Sequence, residues 1–296
     1  MITLKDITID DKALFDEYLS LRRHELSDIS FTNLFIWREA YQVKYTILDG
    51  FLCIVGKYKN NPPFALVPLG QGNVAPIIEK MMTYFKEQCN KFTMTAISEE
   101  IKNEIEQVMP GKFTFKADRN LFDYVYLASD LITLKGKKFH SKRNHINKFK
   151  AQNKYLYYSL TSENIDECVA AALKWCEKRN CKESEGLEME KFAILEALNN
   201  FDKLKYKGGF IKVNDRVVAF TLGEKIADDM AVIHIEKGDP DIQGSYAVIN
   251  QAFCEHEWQD VSYINREEDM GIPGLRKAKE SYRPVKMIKK YVAKKQ

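Results

Sequence analysis

Residues 208–236, GGFIKVNDRVVAFTLGEKIADDMAVIHIE, decide how the second half of the chain folds. Gly208 to Val213 and Arg216 to Glu224 are two apolar runs on either side of Asn214-Asp215, a pair suited to a tight hairpin turn, and Asp229 to Glu236 reads as a third strand. Working forward, Gly244 to Trp258 has helical spacing, followed by a short strand over Ser262 to Asn265, a helix near Gly274 to Glu280 and a strand over Val285 to Val292. Working backward, Glu188 to Asn199 and Ile165 to Lys178 are helical, the latter through Cys168, Val169, Ala172 and Trp175. Thr161-Ser162-Glu163-Asn164 supplies its start, and Tyr155 to Leu160 is strand-like. The order is strand, two helices, three antiparallel strands, helix, strand, helix, strand.

The first half is a shorter version. Ala13 to Leu26 places Leu14, Tyr18 and Leu21 at helical spacing, and Phe31, Leu34, Phe35 and Trp37 form an aromatic segment. Lys44 to Leu48 and Phe51 to Lys57 are joined by Asp49-Gly50, a strong hairpin signal. Asn61-Pro62-Pro63 breaks the chain before a strand over Phe64 to Leu69 and a helix over Ala75 to Cys89 with Ile77, Ile78, Met81, Met82 and Phe85 on its apolar side. The second-half order is similar to that of acyltransferases of the GNAT superfamily, and the first half resembles a worn copy of it. The expected class is therefore α+β: tandem GNAT-like (acyl-CoA N-acyltransferase-like) domains at 1–130 and 131–296, each a mostly antiparallel mixed sheet flanked by helices, with the active site in the second.

Composition sets the bounds. A chain of 296 residues with 45% hydrophobic and 12% aromatic residues, only 14 Gly and 8 Pro, has the makings of real cores and is neither disordered nor collagen-like. Its net charge of +3 names no partner, so any basic surface must come from clustering. No apolar run approaches the roughly 18 residues of a membrane helix, and the N-terminus lacks a basic start followed by an apolar stretch, so a cytoplasmic protein is expected. Cys53, Cys89, Cys168, Cys176, Cys181 and Cys254 form no CxxC pair, which predicts reduced, mostly buried thiols, with neither a zinc site nor a disulfide framework.

Charge does cluster. From Leu131 to Ser162 there is no acid, while Lys135, Lys137, Lys138, Lys142, Arg143, Lys148, Lys150 and Lys154 supply eight positive charges interleaved with Phe139, His140, His145 and Phe149. That mixture suits phosphate contacts and stacking on unpaired bases. It equally suits a solvated interdomain helix whose Phe139, Ile146 and Phe149 pack inward. His140 and His145 are five apart and do not share a helical face, so no metal site is expected. A second basic set, Arg276, Lys277, Lys279, Arg283, Lys286, Lys289, Lys290, Lys294 and Lys295, stands against Glu280 alone.

Between them, Asn265 to Leu275 is a dense polar run directly after a strand, where open α/β sheets place ligands. Glu268 and Asp269 are suited there to fix a ligand ammonium or act as a base, or to favour a helix N-terminus. His234 and Glu236 alternate on a strand and share a face, which could supply a base or simply hold a satisfied core histidine. Gly238 to Ala247 lies where GNAT enzymes bind the coenzyme A pyrophosphate, which would fall to Gly244 and Ser245. Asp239 and Asp241 make it a poor anion cradle.

Ser27–Arg38, Gly136–Phe149, His234–Lys237 and Asn265–Pro284 together resemble the bacterial family that shares the C-terminal catalytic domain of phosphatidylglycerol lysyltransferase, long called a domain of unknown function. The resemblance implies kinship with the Fem aminoacyl-tRNA transferases, so that the donor is an amino acid esterified to tRNA and no cofactor is required. It implies that Lys279 and Arg276 lie near the reacting carbonyl, with Lys279 as the cation beside it; Asp269, Glu236 and His234 complete the candidate catalytic group. Asn265 and Asp269 would hold the aminoacyl group with Glu268 and Tyr282 on the substrate side, and Lys142, Arg143 and His145 would meet tRNA. Lysyltransferases that modify lipid carry a many-helix membrane domain and this chain has none, which leaves three outcomes open: another hydroxyl or amine acceptor, lipid met transiently at an anionic membrane surface, or lost activity. Two other readings stand beside this one: an acyl-CoA N-acyltransferase using acetyl-CoA or another acyl-CoA, and a noncatalytic RNA-binding module. No DNA partner is expected, and without a long exposed heptad a monomer is the default.

Overall fold

The computed structural model describes residues 2–89 and 91–295. The chain divides into two compact units, Met1–Phe122 with Ile288–Gln296, and Asp123–Met287. The boundary thus falls before residue 123 and not at 130, because the fully buried run Asp123 to Tyr126 is a strand of the second unit's sheet. The last residues also change sides. The expected strand over Val285 to Val292 is two strands, Lys286–Ile288 in the second sheet and Tyr291–Lys295 in the first.

The first unit's sheet has the order Lys5–Asp6, Lys44–Leu48, Phe51–Gly56, Phe64–Leu66, Thr93–Ile97, Tyr291–Lys295, Phe113–Ala117. Asp49 and Gly50 turn its hairpin with φ of 48° and 80°, the left-handed pair that matches the twist of the flanking strands. Helix Ala75–Cys89 buries Ile77, Ile78, Met81 and Phe85 against this sheet's core. The opening helix is shorter than expected, Lys12–Ser20. The chain leaves it at Leu21, and Arg22 forms a bidentate pair with Glu104 of helix Glu99–Val108. The aromatic segment is a buried helix, Phe31–Ile36, capped by Ser30, whose Oγ accepts from the Asn33 amide at 3.1 Å.

The second unit's sheet has the order Lys286–Ile288, Asp123–Leu127, Tyr263–Asn265, Met230–Gly238, Arg216–Ala227, Lys207–Val213, Tyr155–Ser159. Asn214 and Asp215, at φ 49° and 58°, close the hairpin between Lys207–Val213 and Arg216–Ala227. Helices Ile165–Lys178, Glu185–Asn199 and Ser245–Glu257 lie where helical spacing places them. The basic segment is helix His140–Gln152, and Phe139, Ile146 and Phe149 are buried in one core with Val248 and Phe253. The cysteine expectation needs correction. Asn180, at φ 49°, turns the chain back so that Cys176 and Cys181 lie 5.2 Å apart at their Cα atoms and are joined by a disulfide.

Candidate active site

The site begins with a divergence of strands. Met230–Gly238 and Tyr263–Asn265 run parallel but pair only over Met230 to Val232, so the second half of the longer strand runs past the end of its neighbour. Arg266, the first residue after the short strand, spans this opening. Its Nη2 donates to Glu236 Oε1 at 2.8 Å, while Asn250 Nδ2, from helix Ser245–Glu257, donates to Glu236 Oε2 at 2.9 Å. The guanidinium sits 4.7 Å from the Tyr282 ring centre, and Lys142 Nζ lies 3.9 Å over that ring. Burial works against the Arg266 charge, but Glu236 more than offsets it and holds the group protonated. Lys142 is pushed down to about 8, first by burial and then by the Arg266 charge.

Lys279 occupies the centre of the loop that follows. It projects from helix Pro273–Glu280, is only 9% exposed, and its Nζ donates to the main-chain carbonyls of Arg266 and, at 3.2 Å, Glu267. Burial and then the Arg266 charge depress it to about 8, against Glu267, Glu268 and Asp123, which favour its charged form. An ammonium has three donors, so one N–H remains beyond these two carbonyls. Tyr126 Oη donates to the Lys279 carbonyl at 2.8 Å and fixes the helix carrying it. Asn265 is fully buried and shapes the loop with both ends of its amide. Nδ2 donates to Asp123 Oδ2 at 3.0 Å and Oδ1 accepts from the Glu267 amide at 2.7 Å.

Two expected roles change on this geometry. His234 cannot serve as a base, because its ring nitrogens lie 2.9 Å from Glu224 and 2.9 Å from Glu267. Burial disfavours its charge, yet the two carboxylates win and raise it to about 9. It is an ionic clamp between strand Arg216–Ala227 and the loop carrying Glu267. Asp269 is likewise committed. It is fully buried and accepts from Arg276 Nε and Nη2 at 2.8 Å each, from Tyr124 Oη at 2.5 Å and from the Gly271 amide at 2.8 Å. The Arg276 pair outweighs burial and, with Tyr124 and Gly271, holds this carboxyl well below the usual range. Asp269 and Arg276 therefore build the loop, whereas the expectation placed them on substrate. Glu236 stands in the opening but is paired, and Glu268 acts on Lys279 through its charge.

The basic helix also sorts differently from its charge pattern. Arg143 turns its Nη1 onto the carbonyls of Leu134 and, at 2.8 Å, Gly136, closing the irregular end of helix Ala128–Thr133. Lys142 lies over the Tyr282 ring, and both residues are half-buried on the helix surface. Lys135, Lys137, Lys148, Lys150, Lys154, His140 and His145 are exposed there. The turn expected to cradle a pyrophosphate does not fit one. A Cβ at Gly244, which has φ +90°, would meet the His145 carbonyl at 2.6 Å, so helix His140–Gln152 already packs on this turn. Ser245 is buried, its Oγ donating to the Asp239 carbonyl at 3.1 Å, and the Asp239 carboxylate pairs with Lys178 and Arg216. Among the described residues no cluster of His, Cys, Asp and Glu is arranged to hold a metal ion, and no helix is long and apolar enough to cross a membrane.

Arg266, Tyr124, Tyr126, Asn250, Asp123 and Glu224 all belong to this arrangement and escaped the reading of the sequence. Only Arg266, inside the polar run after a strand, carried a signal.

Two mixed sheets flanked by helices, with a parallel pair that diverges beside the buried Arg266, make a tandem GNAT-like fold. The fold agrees at a TM-score of 0.53 and 7% identity with a tandem GNAT protein from the clavulanic acid biosynthesis pathway, over 99% of this chain and 98% of that one. The chain belongs to the family described as "Phosphatidylglycerol lysyltransferase, C-terminal", whose profile matches residues 20–294. A conserved protein of unknown function from Bacteroides thetaiotaomicron is similar over the whole of both chains, at 38% identity and a TM-score of 0.92. The C-terminal domain of a putative lysylphosphatidylglycerol synthetase from Agrobacterium fabrum aligns at 12% identity and a TM-score of 0.69, over 98% of this chain and 93% of that one. An uncharacterized protein of Mycoplasmoides gallisepticum is 26% identical over 178 residues, a match that covers 58% of this chain and 56% of that relative.

Proposed function

We propose that the protein is an aminoacyltransferase that takes its amino acid from aminoacyl-tRNA, with Lys279 as the cation at the reacting carbonyl. The observation that carries this reading is the buried Lys279 ammonium, held on the Arg266 and Glu267 carbonyls with one N–H remaining. An acceptor hydroxyl or amine adds to the ester carbonyl carbon, and the oxygen that gains charge is stabilised by Lys279. A fixed cation of this kind contributes about 3 kcal/mol to such a step. The ester C–O bond then breaks, and the tRNA terminal hydroxyl leaves with the proton given up by the acceptor. Arg266, held by Glu236 beside Lys142 and Tyr282, adds positive potential next to this point. The exposed lysines of helix His140–Gln152 and its flanks suit the tRNA phosphates.

The occupied turn at Gly244 speaks against an acyl-CoA donor, since its helix N-terminus is packed by the His145 carbonyl of helix His140–Gln152. The test is transfer of radiolabelled amino acids from charged bulk tRNA to hydroxyl and amine acceptors, alongside acetyl-CoA binding by calorimetry. Transfer from tRNA without saturable acetyl-CoA binding is expected. Saturable acetyl-CoA binding without transfer from any charged tRNA would replace this reading with the acyl-CoA one. Tight tRNA binding with no transfer would leave an RNA-binding module.

A further inference from the structure

Helix Ile165–Lys178 turns one stripe, Ala171, Lys174, Trp175 and Lys178, toward the start of strand Arg216–Ala227 and the end of strand Met230–Gly238. A pocket of about 390 Å³ opens between them, a size that small ligands occupy. It lies on the other side of the sheet from Arg266. Lys237 pairs with Glu190 of helix Glu185–Asn199 and sits 4.3 Å over the Trp175 ring, whereas its neighbour Glu236 turns to Arg266 and helix Ser245–Glu257. The strand wall is irregular. Val217 is paired with Lys212 and Ala219 with Ile211, so Val218 is an extra, bulged residue, a device that bends a strand and is common beside binding sites.

The cations around this pocket outnumber the acids in its wall: Lys174, Lys178, Arg216 and Lys237 line it against Asp239 alone. Part of that charge is already engaged, since Lys178 donates to Asp239 and Asp241, and Lys237 to Glu190. Lys174 has no hydrogen-bond or ion-pair partner among the described residues. Arg216 gives Asp239 one bond from Nη2 at 3.0 Å, which leaves Nε and Nη1 for a ligand. Between these two cations the wall is apolar, with Ala171, Val217 and the edge of the nearly buried Trp175.

We propose that this pocket binds a phosphate monoester with a flat apolar body, the phosphate on Lys174 and Arg216 and the body against Ala171, Val217 and Trp175. An ammonium with all three N–H groups and a guanidinium fork suit a doubly charged group with three terminal oxygens better than a carboxylate with two. None of these residues belongs to the candidate active site, so the proposal does not depend on the transferase reading.

The experiment is isothermal titration calorimetry of the full chain with phenyl phosphate, inorganic phosphate, benzoate and phenol. Phenyl phosphate is expected to bind saturably at a single site, inorganic phosphate and benzoate about tenfold more weakly, and phenol without measurable heat. Lys174→Gln should weaken phenyl phosphate about fivefold and Arg216→Gln about tenfold, whereas Lys148→Gln on the exposed basic helix should leave it unchanged. Ala171→Leu narrows the pocket without altering its charge and should weaken binding at least about tenfold. An unchanged near-ultraviolet circular dichroism spectrum confirms that each variant folds, and the exposed Lys174 and Arg216 carry the test if Ala171→Leu does not. Absence of saturable phenyl phosphate binding at about 1 mM, or benzoate binding as tightly, overturns the proposal. So does a phenyl phosphate affinity that Lys174→Gln and Arg216→Gln leave unchanged, and its loss in Lys148→Gln alone would assign the anion to helix His140–Gln152 instead.

Discussion

His234 makes stability depend on pH in a direction opposite to the common behaviour of acidic groups, and its magnitude can be worked out. The imidazole is about 2% exposed and lies 2.9 Å from a carboxylate on each side, Glu224 and Glu267. Burial opposes its charge, but the two carboxylates raise it from 6.5 to about 9. At about 1.4 kcal/mol for each tenfold change in proton affinity, the clamp contributes on the order of 3 kcal/mol. Because the folded state holds the proton more tightly than the unfolded chain, this stabilisation is complete below the unfolded value of 6.5. It is lost as pH rises through about 9. The perturbation is His234→Gln, read by urea denaturation of wild type and variant at a series of pH values. The two stabilities should differ by about 3 kcal/mol near pH 6 and converge as pH approaches 9 to 10. Lys142 and Lys279, both lowered to about 8, act in the opposite sense over part of this range, but they are present in both proteins and cancel in the difference. Parallel curves, with a constant gap at every pH, would refute the ionic clamp and leave His234 as a packed neutral ring.

Lys279→Met should lower kcat for amino-acid transfer by about 100-fold while tRNA affinity stays within about twofold, measured by single-turnover kinetics and filter binding. In the wild type, transfer should decline as pH rises through about 8, where Lys279 loses its charge, and the profile of Lys279→Arg should continue flat past that point. Asp269→Asn removes the buried partner of Arg276 and Tyr124 and should cost about 3 kcal/mol in urea denaturation, the lower end for a broken ion pair because Arg276 is partly solvated. Gly244→Ala combines a positive φ with a 2.6 Å approach to the His145 carbonyl and should destabilise by more than about 1 kcal/mol, visible as a lower Tm.

What the sequence makes legible follows its periodicities. Helices Ala75–Cys89 and Ile165–Lys178 are amphipathic over four turns, and the Asp49-Gly50 and Asn214-Asp215 turns need left-handed backbone that those residues tolerate. Strands Thr93–Ile97, Phe113–Ala117 and Asp123–Leu127 passed unread, because their sheet partners lie far away in the sequence and no hairpin turn marks them. The split of the last strand between two sheets has no local signature at all. In the site, the family resemblance singled out Lys279, and the structure shows its side chain buried on two main-chain carbonyls that no sequence pattern announces. Charge patterning could not tell that Arg143 caps a helix end and Lys142 lies over Tyr282 while Lys148 faces solvent. Nor could it show that His234 meets Glu267, since partners 33 residues apart are brought together only by the fold.

Filter binding of the purified protein to aminoacylated and deacylated bulk tRNA over a salt series decides whether the donor is a charged tRNA. Tighter binding of the charged form is expected at every salt concentration, with a common slope set by the exposed lysines around helix His140–Gln152. Equal binding of both forms would reduce that helix to a polyanion surface, and no binding at low salt would contradict the aminoacyl-tRNA donor outright.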